Sequence, residues 1–519
     1  MAEKNGMTSS NKNERLDIRI SFVLLMLAGV CIFMTENRDG EFVAGGGLYG
    51  GNSFHCLAIS NNLMTGDHPL FMYASKELHH GTPVYDAYNR FPIFPFLLTG
   101  LLTHPFEHSL ALQTYAARQL MNVFFFLTIV AVFLLVQRLV GNKYAALVVT
   151  LVALSSYYML SYHDMIFNDI PALLGFVVAL HGVVMVQKSS LRISNVLFYS
   201  LLPVSFGWQP YAVYATWLLI DGTELLFGGT GPVKKRFSTF VKRPSFVITG
   251  VALLWGALVL GLQLFNEWRI VGGSFADLPS VNSALWRTGI ASAQGHTQFL
   301  WTFDWASYLP AQAHAMALML IPFWPVLQVE PGTNASALLV ISLVAYSVLR
   351  YMKDKSAANK VHVVMIFSGL LWTFPMKNFV ALHEFQSIFY VGFAVSVYTT
   401  LLSLLHFNLS SWRLLAVDIS LAFLIALSMF NHLQTQSSDM NRITAEFQNI
   451  REFLPQNGKV YVDGDRQRML ASHAIDFFLA GCWLTPPQEA DYVVSQRSDY
   501  GGEKLTFNSE FNLFKASGK

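Results

Sequence analysis

A few acids, one arginine and their immediate neighbours are the residues in this sequence best suited to chemistry, and they interrupt long apolar runs. Thr35-Glu36-Asn37-Arg38-Asp39-Gly40-Glu41-Phe42 places acids directly after the first apolar run, and Ala44-Gly45-Gly46-Gly47 follows. Glycine allows sharp turns and close backbone approach, so Asp39 and Glu41 can be folded back against a membrane-side cavity. The plainer reading makes them solvated ends of a span. A second group runs from His163 and Asp164 to Asn168, Asp169 and Pro171, with no lysine or arginine in the connection. Ionisable groups between apolar helices are costly unless they face a polar cavity or a partner. Asp169 also precedes a proline at a helix start, where a carboxylate can cap exposed N–H groups.

A third group is Gly81-Thr82-Pro83-Val84-Tyr85 through Arg90-Phe91-Pro92. Prolines alternating with aromatics force an irregular approach to the membrane. An arginine there suits phosphate, because its fork makes two charge-assisted hydrogen bonds; the alternative is a lipid-headgroup anchor. The fourth group, Lys377, His383 and Glu384, breaks another apolar stretch.

The elements that must position these residues are membrane spans. The 519 residues are 53% hydrophobic and only 13% charged, with mean hydropathy +0.41. Soluble chains carry nearer a quarter charged residues, which excludes an ordinary cytosolic enzyme, a nucleic-acid binder and a disordered protein. Forty-two phenylalanines against 34 Lys+Arg cannot all be buried in a water-soluble core, so the excess must face lipid. The net charge of +2 argues for no polyanionic partner, and nucleic acid is not expected. Cys31, Cys56 and Cys482 have neither disulfide-framework nor metal-ligand spacing.

Apolar runs begin with Ile20–Met34, read as an uncleaved anchor, and recur at 119–137, 144–160, 170–187, 194–208, 210–227, 245–265, 312–329, 336–352, 361–376, 386–405 and 412–430. Basic residues in the short connections, such as Lys234, Lys235 and Arg236, or Arg350, Lys353 and Lys355, mark the cytoplasmic side. This alternation holds only if the Pro-interrupted run 312–329 is re-entrant, which gives about eleven spans within a range of about 11–13. The expected organisation is a cytoplasmic tail over 1–18 and a transmembrane domain over 19–431 with large outer loops at 35–118 and 266–311. Residues 432–519 form a small extracytoplasmic α/β domain, with helices at Asn441–Leu454 and Ala471–Ala480 and strands at Lys459–Val462 and Ala490–Val494. All four polar groups then gather on the outer face.

Taken with these motifs, the chain resembles the GT-C superfamily of membrane glycosyltransferases, in particular the branch of protein O-mannosyltransferases and lipid A aminoarabinose transferases. The resemblance runs from residue 20 to about residue 187, and more loosely to the tail. It is carried by Gly81–Tyr85 with Arg90-Phe91-Pro92, by Ala117-Arg118-Gln119-Leu120, by Gln137-Arg138-Leu139-Val140-Gly141, and by His163–Pro171. It implies an all-α polytopic membrane fold and inverting transfer from a polyprenyl- or dolichyl-phosphate sugar at the extracytoplasmic face. The acceptor is a glycan, lipid or protein, and membrane lipid is the surrounding partner.

Residue by residue, the resemblance puts Asp39 or Glu41 at the first-loop acid, the general base. Asp169, with Asp164 close by, takes the second acidic motif, and Arg90 contacts the lipid-linked phosphate. Tyr85, His163, Lys377, His383 and Glu384 complete the substrate-binding set. Charge building on the phosphate calls for a fixed cation, either Arg90 with Lys377 or a divalent metal such as Mg or Mn. The family's adjacent acids are here separated by Gly40, and Phe42 stands where Tyr or Trp is usual. Two other readings stay open: a transporter, and a non-catalytic scaffold in glycan assembly.

Overall fold

The computed structural model describes residues 50–163, 165–188, 192–227, 232–288, 303–322, 332–377, 384–404 and 416–425, most of 446–463 and 479–516, and a few isolated positions. Of the expected site residues, Asp39, Glu41, Asp164 and His383 lie outside the described residues, as does the side chain of Glu384.

The order opens with α1 (Gly50–Thr65), β1 (Tyr73–His79), β2 (Thr82–Ala87) and α2 (Phe94–Thr103). Then follow α3 (Leu110–Val140), α4 (Lys143–Leu154), α5 (Tyr157–Tyr162), α6 (Asp169–Lys188), α7 (Ile193–Phe206), α8 (Pro210–Phe227), α9 (Val233–Phe240) and α10 (Pro244–Val271). After these come α11 (Pro279–Thr288), α12 (Trp305–Leu318), α13 (Thr333–Lys353), α14 (Ala357–Thr373) and α15 (Val391–Leu404). The chain closes with β3 (Lys459–Asp463), β4 (Trp483–Leu484), β5 (Tyr492–Ser495), β6 (Gly502–Lys504) and β7 (Asn512–Ala516). Among the described residues, five helical segments are long and apolar enough to cross a membrane: Leu112–Val140, Asp169–Val186, Pro244–Val271, Thr333–Lys353 and Phe385–Leu404. The chain is an integral membrane protein of mainly helical fold with a small C-terminal sheet.

Local chemistry sets the helix ends. Ser109 caps α3 by accepting from Leu112 N–H, and Gly141, at φ 74°, ends it in the left-handed conformation that glycine adopts without strain. Asn142 then caps α4 through Tyr144 and Ala145 N–H. The expected run 144–160 is broken: α4 stops at Leu154, Ser155 bonds back to Val152 O at 2.9 Å, and Ser156 forms an isolated bridge with Pro322. The 312–329 run is also divided. Asp304 caps α12, which ends at Leu318, and residues 323–331 lie outside the described ones. Helix α6 is buried along nearly its whole length, whereas α13 leaves Leu338, Ile341 and Leu349 exposed.

The sheet has seven strands in the order β2-β1-β4-β3-β5-β7-β6. Its core follows the expected strands closely, but one edge comes from the hairpin of β1 and β2, far away in the sequence. His80 and Gly81, both at positive φ, make the two-residue turn between β1 and β2. Strand β1 then pairs in parallel with β4 through Glu77 and Leu484. Lys76 fastens this junction by donating to Asp67 Oδ2 at 3.0 Å and to Asn457 Oδ1 at 2.8 Å. Cys56 and Cys482 are buried, each with a free thiol.

Candidate functional site

The site is built on the irregular segment between β2 and α2. Long helix α10 grips it with two residues one turn apart, and hence on one helix face. Gln263 Nε2 donates to Phe91 O at 2.7 Å, and Glu267 Oε2 accepts from Asn89 Nδ2 at 3.1 Å. From the other side, Trp208 Nε1 donates to the Arg90 carbonyl at 2.8 Å. With its backbone held this way, Arg90 lays its guanidinium over the Tyr88 ring, 3.9 Å from the centroid. Tyr88 is stacked on Phe91.

A second arginine arrives on α11. Arg287 sits 4.9 Å over the Phe91 ring and hydrogen-bonds the Tyr88 hydroxyl. Burial pulls Arg287 below the usual arginine value, and the neighbouring Arg90 charge adds to the shift, while Tyr88 opposes it. Arginine keeps its proton in proteins, so the two like charges strain the site in a way that an anion between them would relieve. Both arginines line a cavity of about 560 Å³. They are its only charged lining among the described residues; the rest is mostly apolar, including Leu253, Leu260 and Leu264 of α10.

Asp169, fully buried, opens α6. Its carboxylate takes up side-chain amides: Oδ1 accepts from Gln209 Nε2 at 3.1 Å and from Gln386 Nε2 at 2.7 Å. Oδ2 has no hydrogen-bond partner among the described residues. Gly207 allows the approach of Gln209, because a Cβ there would lie 2.3 Å from Ala172 Cβ and 2.5 Å from Gln209 Oε1. Arg287 and Asp169 are close enough to act on each other electrostatically.

Of the other expected residues, Lys377 is buried and donates to Thr288 O at 3.1 Å, at the end of α11. His163 Nδ1 pairs with Leu160 O at 2.8 Å, within its own turn. Tyr85 belongs to the sheet, where its hydroxyl meets His68 Nε2 at 3.0 Å among Phe71 and Tyr73. The structure thus brings Arg90 and Asp169 into one neighbourhood and adds Arg287, Tyr88, Gln209 and Gln386. Arg287 had a signal: it and Arg269 are the only basic residues among 266–311, histidine aside. Among the described residues, no three His, Cys, Asp or Glu side chains group to hold a metal ion.

This architecture is the GT-C fold. The solved structures it is similar to include the oligosaccharyltransferase of Archaeoglobus fulgidus in the apo form, with TM-score 0.53 and 14% identity over 92% of this chain and 69% of that one. AglB from the same organism, in complex with an inhibitory peptide and a dolichol-phosphate, gives TM-score 0.50 and 13% identity over 92% and 69%. ArnT from Cupriavidus metallidurans bound to undecaprenyl phosphate gives TM-score 0.44 and 10% identity over 96% and 98%. No family model matches the sequence, and no curated protein matches it.

Proposed function

We propose that this protein is a membrane glycosyltransferase that moves a sugar from a polyprenyl- or dolichyl-phosphate-linked donor to an acceptor hydroxyl, with inversion, at the extracytoplasmic face. The observation that carries this reading is the pair Arg90 and Arg287, both set against Tyr88 and lining one otherwise apolar cavity. A prenyl phosphate combines an anion for the arginines with a hydrocarbon tail for the α10 leucines. The dolichol-phosphate held by the AglB structure supports the same donor class.

The chemistry follows from the groups. The lipid phosphate departs as a stable anion, and charge developing on its oxygens is met by two fixed guanidiniums. The acceptor hydroxyl needs a base, and a first-loop carboxylate, Asp39 or Glu41, supplies it. Asp169 and Asp164 orient the acceptor or that base; at Asp169 the two amides fix Oδ1 and leave Oδ2 for the incoming group. The transferred sugar is a hexose or a pentose, and the acceptor a glycan, lipid or protein.

The test is donor-phosphate affinity in the purified protein, read by native mass spectrometry with a short-chain polyprenyl phosphate. Arg287→Ala and Arg90→Ala each weaken binding by about 100-fold, while the lysine exchanges, which keep charge but lose the fork, weaken it by about tenfold. Wild-type affinity in both alanine variants would overturn the reading.

A further inference from the structure

Glu267, fully buried on α10, divides its carboxylate between two elements. Oε2 accepts from Asn89 Nδ2 at 3.1 Å, and Oε1 accepts from the backbone N–H of Ser280 at 3.0 Å. Asn89 immediately precedes Arg90, and Ser280 lies in the first turn of α11, whose last turn carries Arg287. The Asn89 amide cannot turn over, because its Oδ1 takes the Met72 N–H at 3.1 Å. The far end of α11 is held by Lys377 Nζ, which donates to Thr288 O at 3.1 Å. A carboxylate therefore meets the N-terminus of α11 and an ammonium its C-terminus, each matching the partial charge there. Neither Glu267 nor Lys377 is among the described residues that line the cavity.

We propose that Glu267 and Lys377 are positioning residues: together they fix α11 relative to the Asn89-Arg90 segment and so set the spacing of the Arg90 and Arg287 guanidiniums to fit one phosphate group. The inference rests on the lipid-phosphate reading above. Both oxygens of Glu267 are spent on Asn89 and Ser280. Glutamine at this position has a single carbonyl oxygen and retains one of the two contacts well. Arginine at 377 keeps a cation for the Thr288 carbonyl, whereas methionine removes it.

The experiment is a double-mutant comparison on the full chain in detergent, titrated with a short-chain polyprenyl phosphate and read by native mass spectrometry. Arg287→Ala and Arg90→Ala come first, since unchanged affinity in both sinks the lipid-phosphate reading itself, and unchanged affinity in Arg287→Ala alone already overturns the positioning role. Glu267→Gln in the wild-type background weakens binding by about tenfold, as for one displaced charge-assisted contact. In the Arg287→Ala background it adds nothing further, because its effect acts through Arg287. Lys377→Met follows the same pattern, and Lys377→Arg restores binding to within about twofold of wild type. An equal penalty from Glu267→Gln in both backgrounds, or none in the wild type, overturns the positioning role while leaving the lipid-phosphate reading intact. If Glu267→Gln yields no monodisperse protein, Lys377→Met and Lys377→Arg carry the same comparison.

Discussion

Gln386 Nε2 donates to Asp169 Oδ1 at 2.7 Å, and the direction of that bond is fixed from behind. Gln386 Oε1 accepts from Trp372 Nε1 at 3.0 Å, and an indole nitrogen can only donate. The amide is therefore turned so that its NH₂ faces the carboxylate. Asp169→Asn keeps an oxygen for both glutamines and is expected to fold with near wild-type thermal stability while losing about 100-fold in sugar transfer. Asp169→Ala leaves two buried amide donors without acceptors and costs about 1–3 kcal/mol for each. Thermal unfolding of both variants in detergent, beside a transfer assay, separates charge from scaffolding. Equal activity in Asp169→Asn and wild type would remove Asp169 from the chemistry.

The cavity wall gives a second prediction. Ala257 lies on α10, lines the cavity and makes none of the side-chain bonds that hold Arg90 and Arg287. Tryptophan there fills space that a prenyl chain needs and leaves both guanidiniums in place. Donor KM should rise about tenfold or more with kcat little changed, because binding energy common to ground and transition states is lost. A short-chain donor should be less affected than a long one. Equal kinetics for Ala257→Trp and wild type with both donors would show that the tail lies elsewhere.

The class of fold was legible because 53% hydrophobic and 13% charged residues in 519 leave lipid as the only sufficient solvent for the apolar surplus. Arg90 and Asp169 were legible for a related reason: an ionisable group beside an apolar run is rare enough to stand out. Arg287 offered only its rarity among 266–311, and Glu267, at the end of an apolar run, had no motif around it; the bonds that tie it to Asn89 and Ser280 are tertiary. The hairpin of β1 and β2 was hidden by the prolines and aromatics that follow it, although His80-Gly81 is a two-residue turn between paired strands. Its union with β4 joins Glu77 to Leu484, and no local pattern encodes a pairing so distant. The break at Ser155 and Ser156 arises from a bridge to Pro322, a tertiary contact invisible to hydropathy.

That distant pairing is open to test at Lys76. Its ammonium donates to Asp67 and Asn457 and lies 4.7 Å over the Trp483 ring, so one buried cation joins the β1 hairpin to two parts of the tail. Lys76→Met keeps the apolar stem and deletes the charge. It is expected to destabilise the junction by about 2 kcal/mol and to expose the tail to limited proteolysis at protease concentrations that spare the wild type. Unchanged cleavage kinetics would show that the sheet holds without this contact.

At the basic-flanked end of the bundle, the 350–360 segment supplies Lys360, which bridges two acids of α8. Its Nζ lies 2.7 Å from Asp221 Oδ1 and 2.5 Å from Glu224 Oε2. Ser245 of α10 donates to Asp221 Oδ2 at 2.5 Å, and Tyr351 of α13 donates to Glu224 Oε1. Four helices thus meet on one network, with Lys360 and Asp221 both buried. Removing the lysine leaves two carboxylates facing each other with little water, so Lys360→Met is expected to cost about 3–5 kcal/mol. Adding Asp221→Asn and Glu224→Gln to Lys360→Met removes the stranded charges and should recover most of that loss, which thermal unfolding of the single and triple variants will read. Donor affinity should stay within about twofold of wild type in the triple variant, because effects at well-separated sites without shared partners are close to additive. A triple variant as unstable as Lys360→Met would mean that packing of the lysine stem, rather than charge, holds α8 and α14 together.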